Sequence, residues 1–177
     1  MNHNPITPRI YFTLAITAFA ILHLSIEIFS GGVRVHYPLQ REDMPALSNW
    51  WGLVLLPALA WLSHTFMDKD YSAAGVSGLS KVVVYRLAGA FMYGAVMGAS
   101  FEFGLGQTPL YLLFGLLLGG IFYPLYRFEI ILGIVMGMTY TFGAIIPTVV
   151  MSMVALISLV SYNSVRFVIS KLKQIRE

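Results

Sequence analysis

The sequence predicts an all-α protein, a polytopic membrane helix bundle of six transmembrane helices. It forms a single domain over residues 1–177 with both termini in the cytoplasm. Composition is the first reason, because 58% of the residues are hydrophobic, only 11% are charged and the mean hydropathy is +0.76. A soluble domain carries roughly 25% charged residues. The other two reasons are a series of six apolar stretches and the one-sided placement of Lys and Arg.

The six apolar stretches follow one another along the chain. Each approaches the roughly 20 residues that a helix needs to cross the hydrocarbon core of a bilayer. The chain starts with a polar segment, and no A-x-A cleavage pattern follows the first stretch, so we expect that stretch to be retained and not removed as a signal peptide. The stretches run from Ile10 to Ser30, Trp50 to Met67, Val82 to Phe103, Leu110 to Leu125, Phe128 to Ile146 and Thr148 to Ser164.

The last two stretches run almost without charge from residue 128 to residue 164. One continuous helix of about 37 residues would be about 55 Å long, far longer than the hydrocarbon core of about 30 Å. Gly143 and Pro147 offer a turn, since proline disfavours helix at the residue before it. The sequence therefore predicts a tight helical hairpin in this region.

Lys and Arg gather on one side of this arrangement. Short cytoplasmic loops of membrane proteins are enriched in these residues. With the N-terminus in the cytoplasm, only Arg34 and Arg41 fall on the outer side. The other basic residues fall at the inner side or within reach of it: Arg9, Lys69, Lys81, Arg86, Arg127, Arg166, Lys171, Lys173 and Arg176.

We interpret the net charge of +3 as this orientation signal, and we expect no nucleic-acid partner. The lipid bilayer is the predicted partner, and the predicted location is a multi-pass position in the bacterial cytoplasmic (inner) membrane. Small residues spaced four apart let helix backbones approach closely, which indicates a tightly packed bundle and also fits a homo-oligomer or a partner membrane subunit. They are Ala90, Gly94 and Gly98 in the third stretch, Gly115 and Gly119 in the fourth, and Gly133 and Gly137 in the fifth.

Two ionisable side chains lie within the first apolar stretch. His23 and Glu27 are four residues apart, so they share one helix face. Ionisable groups inside a span are costly and mark functional sites by default. His23 lies about 20 Å from the cytoplasmic end of its helix, in the outer half of the membrane.

Further polar groups converge on the outer side. Glu102 ends the third stretch, and Tyr140 lies near the end of the fifth. The first outer loop, GGVRVHYPLQREDMPALSNWW, contributes Arg34, His36, Gln40, Arg41, Glu42 and Asp43. The sequence therefore predicts a substrate-binding or proton-coupling site at the outer face, capped by this loop. Its predicted members are His23, Glu27, Glu102, His36, Arg34 and Tyr140.

Three functions fit this cluster. In the first, the protein recognises or transports a small solute or ion, with Glu27 as the central acidic group, His23 as its protonatable neighbour and Glu102 opposing them. In the second, a divalent metal such as Zn²⁺ is held and the protein is a membrane-embedded hydrolase. The ligand set would be His23, Glu27, His36 and Glu102. In the third, the chain is a structural or assembly subunit of a membrane complex.

Several kinds of chemistry are excluded. The chain has no Cys, which removes disulfides and thiolate metal sites. We find no G-x-S-x-G, Walker-type or His-Glu-x-x-His motif. We expect no haem, because His64 lies about 5 Å from the inner end of its helix and His23 about 20 Å from that surface. His64 is instead expected to be solvated near Lys69 and Asp70.

Overall fold

The structure is a computed structural model that describes residues 6–37, 41, 43, 45–73 and 81–176. This part of the chain is all-helical, as predicted, apart from a short strand pair that the sequence did not predict. The strands β1 (Val35–His36) and β2 (Leu47–Ser48) pair antiparallel, and a 3₁₀ turn at Asn49–Trp51 leads from them into the second helix. The helices are α1 (Ile6–Phe29), α2 (Gly52–Ala73), α3 (Lys81–Glu102), α4 (Thr108–Phe122), α5 (Phe128–Phe142) and α6 (Ile145–Arg176).

Four of the described helices are long and apolar enough to cross a membrane. The segments are Pro8–Phe29, Asn49–Met67, Lys81–Glu102 and Ile145–Gln174. The two other helices, α4 and α5, have 15 residues each. At this length they measure about 22 Å, against about 30 Å for the hydrocarbon core. The predicted apolar stretches therefore all form helices, but two of these are short.

Helix α5 occupies the centre of the bundle. It packs most extensively against α3 and also against α2 and α6, while α1 packs on α2, and α4 lies against α6 and α3. Most side chains of α5 are buried, including Leu132, Ile134 and Val135. A helix that is buried on all sides needs neighbours that approach closely, and glycines supply that space where α5 meets α3.

The crossing of α3 and α5 depends on glycines from both helices. A Cβ added at Gly133 would lie 2.6 Å from the carbonyl oxygen of Leu87, and one added at Gly137 would lie 2.6 Å from the backbone nitrogen of Ala95. At Gly94 the added atom would lie 2.9 Å from Cα of Ile134. Real Cβ atoms do not come this close to backbone. The predicted close packing through small residues is therefore confirmed for α3 and α5.

Helix α4 uses a different glycine from the two that the sequence indicated. An added Cβ at Gly119 would meet nothing within 4 Å, and one at Gly115 would meet only the hydroxyl of Tyr93, at 3.2 Å. Contact with α6 is made through Gly120, where an added Cβ would lie 3.1 Å from Cβ of Ser158. The Ser158 hydroxyl also donates to the carbonyl of Gly120, at 2.9 Å. The packing role predicted for Gly119 is thus wrong, whereas Gly115 approaches α3 closely at the Tyr93 hydroxyl.

The predicted hairpin between the last two stretches is confirmed, but its boundaries differ. Helix α5 ends at Phe142, not at Ile146, because Gly143 adopts a left-handed φ of 67° and its N–H bonds back to the carbonyl of Thr139. Helix α6 then starts at Ile145 and continues to Arg176, beyond Ser164, where the last apolar stretch ends. No Gly or Pro occurs after Pro147, so nothing in the sequence stops the helix.

The connections between helices define two ends of the bundle. The segment from α1 to α2, the turn from α3 to α4 and the turn from α5 to α6 meet at one end, which we call the loop end. The connection from α4 to α5 lies at the other end, which we call the basic end, together with the start of α1. The contacts at the loop end are made by residues 27–36, Asn49, Glu102 and residues 140–143.

Candidate functional site

Most of the polar residues that the sequence singled out meet at the loop end. Helix α1 supplies His23 and Glu27, and helices α3 and α5 supply Glu102 and Tyr140. The segment after α1 supplies Arg34, which immediately precedes strand β1, and His36, which lies within that strand. Of the other loop residues, Gln40 and Glu42 lie outside the described part of the chain. Arg41 and Asp43 form an exposed ion pair with each other, at 2.8 Å.

The carboxylate of Glu27 holds the loop onto α1. It is buried, with 3% of the residue exposed. Its Oε1 accepts a hydrogen bond from Nδ2 of Asn49, at 2.5 Å, and its Oε2 accepts one from the backbone N–H of Arg34, at 3.3 Å. The backbone of Asn49 in turn donates to the carbonyl of Arg34, at 3.1 Å. Glu27 and Asn49 therefore join the two ends of the segment between α1 and α2.

The side chain of Arg34 reaches across to α3 and α5. Its Nη1 lies 3.5 Å from Oε1 of Glu102, and its Nη2 donates to the Tyr140 hydroxyl at 3.3 Å. The guanidinium carbon also lies 4.8 Å from the centre of the Tyr140 ring. Two glycines with left-handed backbone, Gly31 and Gly32, precede it with φ of 121° and 120°. Arg34 thus connects the segment after α1 to both α3 and α5.

The His23 side chain lies between Glu27 and Tyr140. The residue is 9% exposed, and its ring meets the Tyr140 ring edge-on, with centroids 6.1 Å apart. Its buried Nε2 has no hydrogen-bond partner among the described residues, and the nearest carboxylate oxygen, Oε1 of Glu27, is 3.7 Å away. That distance is too long for a hydrogen bond. A buried polar atom without a partner costs about 1–3 kcal/mol, so this nitrogen calls for an explanation.

The His23 ring forms part of the wall of a cavity between α1, α3 and α5. The cavity has a volume of about 360 Å³, and its lining also includes Glu102, Tyr140 and Thr141. The rest of the wall is apolar and aromatic, from Phe19, Leu22, Ile26, Phe91, Ala95, Ala99, Phe103, Met136 and Gly137. Glu27 is not part of the lining, because its carboxylate is turned towards Asn49. The site is therefore an apolar chamber with polar groups towards the loop end.

His36 lies beside the cavity, close to the turn between α5 and α6. A Cβ added at Gly143 would lie 3.2 Å from Cδ2 of His36. Burial is the main cause that lowers the pKa of His36, and the Arg34 charge adds to it, while Glu27, Asn49 and Glu102 oppose the shift. The ring is therefore neutral at neutral pH. Its Nε2 is buried and lacks a hydrogen-bond partner within the described ranges.

The proposed metal ligands do not form a metal site in this arrangement. Among the residues that the structure describes, no three His, Asp or Glu side chains are grouped so that they could hold a metal ion. His23 and Glu27 are neighbours, but the carboxylate of Glu27 is bonded to Asn49, and that of Glu102 faces Arg34. The hypothesis of a metal-dependent hydrolase therefore gains no support.

Comparisons with protein-family models, with curated proteins and with solved structures gave no match. What the site does must therefore be argued from its own geometry.

A second group of charges lies at the basic end, and the sequence did not point to it. Glu129, in the first turn of α5, is 2% exposed, and its Oε1 lies 3.5 Å from Nη1 of both Arg86 and Arg127. A larger cavity of about 590 Å³ opens nearby between α3, α4 and α5, lined mainly by apolar residues with Arg86 at its edge. This buried acid therefore ties α5 to α3 and to the connection that precedes α5.

His64 is placed differently from the prediction. It was expected to be solvated, but it is 5% exposed, and its ring lies 5.8 Å from that of Phe12, near the start of α1. The side chains of Lys69 and Asp70 lie outside the described residues. Because Phe12 precedes His23 by about three helical turns, the two histidines are at opposite ends of the bundle, as predicted.

Proposed function

We propose that this chain is an integral membrane protein that binds a small solute in the cavity between α1, α3 and α5, the first step of recognition or transport. The observation that carries the proposal is the cavity itself, an apolar chamber whose wall includes the polar side chains of His23, Glu102 and Tyr140. The solute would have an apolar body, matching the wall, and a polar end directed to the loop end.

The size and composition of the cavity support this proposal. Ligand pockets usually have volumes of about 300–1,000 Å³ and combine apolar walls with a few polar groups that set orientation. The cavity, with about 360 Å³, lies near the lower limit, which suits a ligand of roughly the size of a substituted benzene ring. The polar groups that would orient it are His23, Glu102, Tyr140 and Thr141.

We further propose that all six helices cross the bacterial cytoplasmic membrane, with the loop end outside and both termini in the cytoplasm. The distribution of Lys and Arg supports this orientation, because Arg34 and Arg41 are the basic residues at the loop end in the described part of the chain. The short helices α4 and α5 would cross where the bilayer is locally thinner or where protein surrounds them.

Fusion of a topology reporter tests this orientation. We expect a reporter inserted after Gly143, in the turn between α5 and α6, to be periplasmic. We expect a reporter inserted after Ser170 to be cytoplasmic. Alkaline phosphatase and green fluorescent protein give opposite signals at the two sites and control for expression. A cytoplasmic signal after Gly143 would contradict the topology.

Three phenyl compounds of matched size test the binding proposal: the cation phenyltrimethylammonium, its neutral isostere tert-butylbenzene and the anion benzenesulfonate. We expect at least one of them to raise the melting temperature of the detergent-solubilised protein, because a ligand that binds only the folded state stabilises it. The Ala95→Phe variant, which fills the cavity, is expected to lose this shift.

The matched control is Ala88→Phe, which adds the same side chain to an exposed position of α3 away from the cavity. It is expected to keep the shift. If Ala95→Phe does not fold, Leu22→Trp fills the cavity from the α1 side. A wild-type protein that responds to none of the three compounds, or a filled variant that responds as the wild type does, would refute the proposal.

A further inference from the structure

The Arg34 side chain occupies a position that has the chemistry of a cation site. Its guanidinium lies over the face of the Tyr140 ring, with the carbon 4.8 Å from the ring centre, and it is 3.5 Å from a carboxylate oxygen of Glu102. An aromatic face attracts a cation through its quadrupole, within about 6 Å of the centroid. A carboxylate beside the ring adds direct charge attraction. The loop therefore places its own cation at the polar end of the cavity.

The cavity behind this position is suited to the same kind of charge. Among its described lining residues, Glu102 is the one carboxylic side chain, and none is Lys or Arg. Four lining side chains are aromatic rings, namely Phe19, Phe91, Phe103 and Tyr140. Aromatic walls with a single carboxylate recognise organic ammonium groups. An anion would instead meet Glu102 as a like charge.

Resting on the proposed binding function, we infer that the ligand is a small hydrophobic organic cation, an amine or a quaternary ammonium compound, which displaces the Arg34 guanidinium from Glu102 and Tyr140. In the structure, the Arg34 guanidinium occupies the position that the ligand's positive charge would take, so this side chain competes with the ligand for Glu102 and Tyr140. The ligand would place its apolar part in the cavity and its positive charge between Glu102 and the Tyr140 ring.

Displacement of Arg34 is energetically inexpensive. Arg34 and Glu102 have side chains that are 39% and 41% exposed, and exposed ion pairs contribute about 0–1 kcal/mol. Their separation of 3.5 Å also exceeds the roughly 2.7–2.9 Å of a strong charge-assisted hydrogen bond.

The effect of Arg34→Gln distinguishes a cation from an anion. We expect phenyltrimethylammonium to bind more tightly than tert-butylbenzene or benzenesulfonate, with dissociation constants measured by calorimetry in detergent. In Arg34→Gln the competitor is gone, so affinity for the cation should rise about two- to fivefold, the equivalent of a lost ion pair of about 0.4–1 kcal/mol. In Glu102→Gln it should fall about tenfold. The two side chains are 39% and 41% exposed, so neither change threatens the fold.

Arg41→Gln is the matched control. It removes another arginine of the same loop, one that pairs with Asp43 and does not line the cavity, so affinity should stay as in the wild type. If benzenesulfonate or tert-butylbenzene binds best and Ala95→Phe abolishes that binding, the cation inference fails while the binding proposal stands. Weaker cation binding in Arg34→Gln would also overturn the inference. If no compound binds, the binding proposal itself fails.

Discussion

Replacing Gly137 with alanine is expected to lower the free energy of unfolding by about 2 kcal/mol or more, in the range reported for overpacked cores. The added Cβ would lie 2.6 Å from the backbone nitrogen of Ala95, and backbone cannot move aside as a flexible side chain can. Helices α3 and α5 would have to separate along their whole contact. Since α5 is the central helix, most of the bundle would be affected.

Gly119→Ala is the matched control for this experiment. It makes the same change in the middle of a helix, but its new Cβ would meet nothing within 4 Å. Alanine is favoured over glycine in helices by up to about 1 kcal/mol, so this variant is expected to be as stable as the wild type or slightly more stable. Both variants can be measured by SDS-induced unfolding in mixed micelles. Equal stability of the two would show that the contact between α3 and α5 is looser than described.

Replacing Glu27 with leucine is the second change with a large expected effect, a loss of about 2–5 kcal/mol of unfolding free energy. The amide of Asn49 and the backbone N–H of Arg34 would both lose their acceptor, and each unsatisfied buried donor costs about 1–3 kcal/mol. The segment between α1 and α2 would detach from α1. We therefore also expect faster cleavage by trypsin after Arg34 and Arg41.

Two comparisons make the Glu27 result specific. Glu102→Leu removes an acidic residue at the same end of the bundle, but its side chain is 41% exposed, so it should cost less than about 1 kcal/mol. Combining Glu27→Gln with Asn49→Asp exchanges donor and acceptor, and the double variant should be more stable than the sum of the two single changes predicts. Additive losses would mean that the two side chains do not depend on each other.

The helix positions could be predicted because helices that are long and apolar enough to cross a membrane are visible in the sequence as long apolar segments. Long apolar segments had to be helices, and the length limit forced the hairpin at Gly143. The last apolar stretch ends at Ser164, but α6 continues to Arg176, because charged residues end an apolar segment without interrupting a helix.

The convergence of polar residues was predictable, but their pairing was not. Orientation alone brought His23, Glu102 and Arg34 to one end. Asn49 was missed because its neighbours, Trp50 and Trp51, fit a membrane interface without further explanation. Its partner Glu27 is 22 positions away, and no helical spacing connects them.

The buried acid Glu129 was missed for a different reason. It stands next to a basic segment, and nothing in the sequence distinguishes it from a solvated charge at the end of a helix. The available signal was that it begins an otherwise apolar helix and lies near Arg127 in the chain. That signal becomes informative only once α5 is known to be central, because a charge in a central helix must be buried and therefore paired.

The short length of α4 has a consequence for the surrounding lipid. The helix is about 22 Å long and exposes Phe114, Leu118 and Phe122. In the proposed six-span topology, acyl chains next to α4 would meet an apolar face about 8 Å shorter than the usual hydrocarbon core. Such hydrophobic mismatch costs fractions of a kcal/mol per ångström and is relieved by local thinning of the bilayer. In that topology, the acyl-chain length of the host membrane would be a physical variable that acts on this protein through α4.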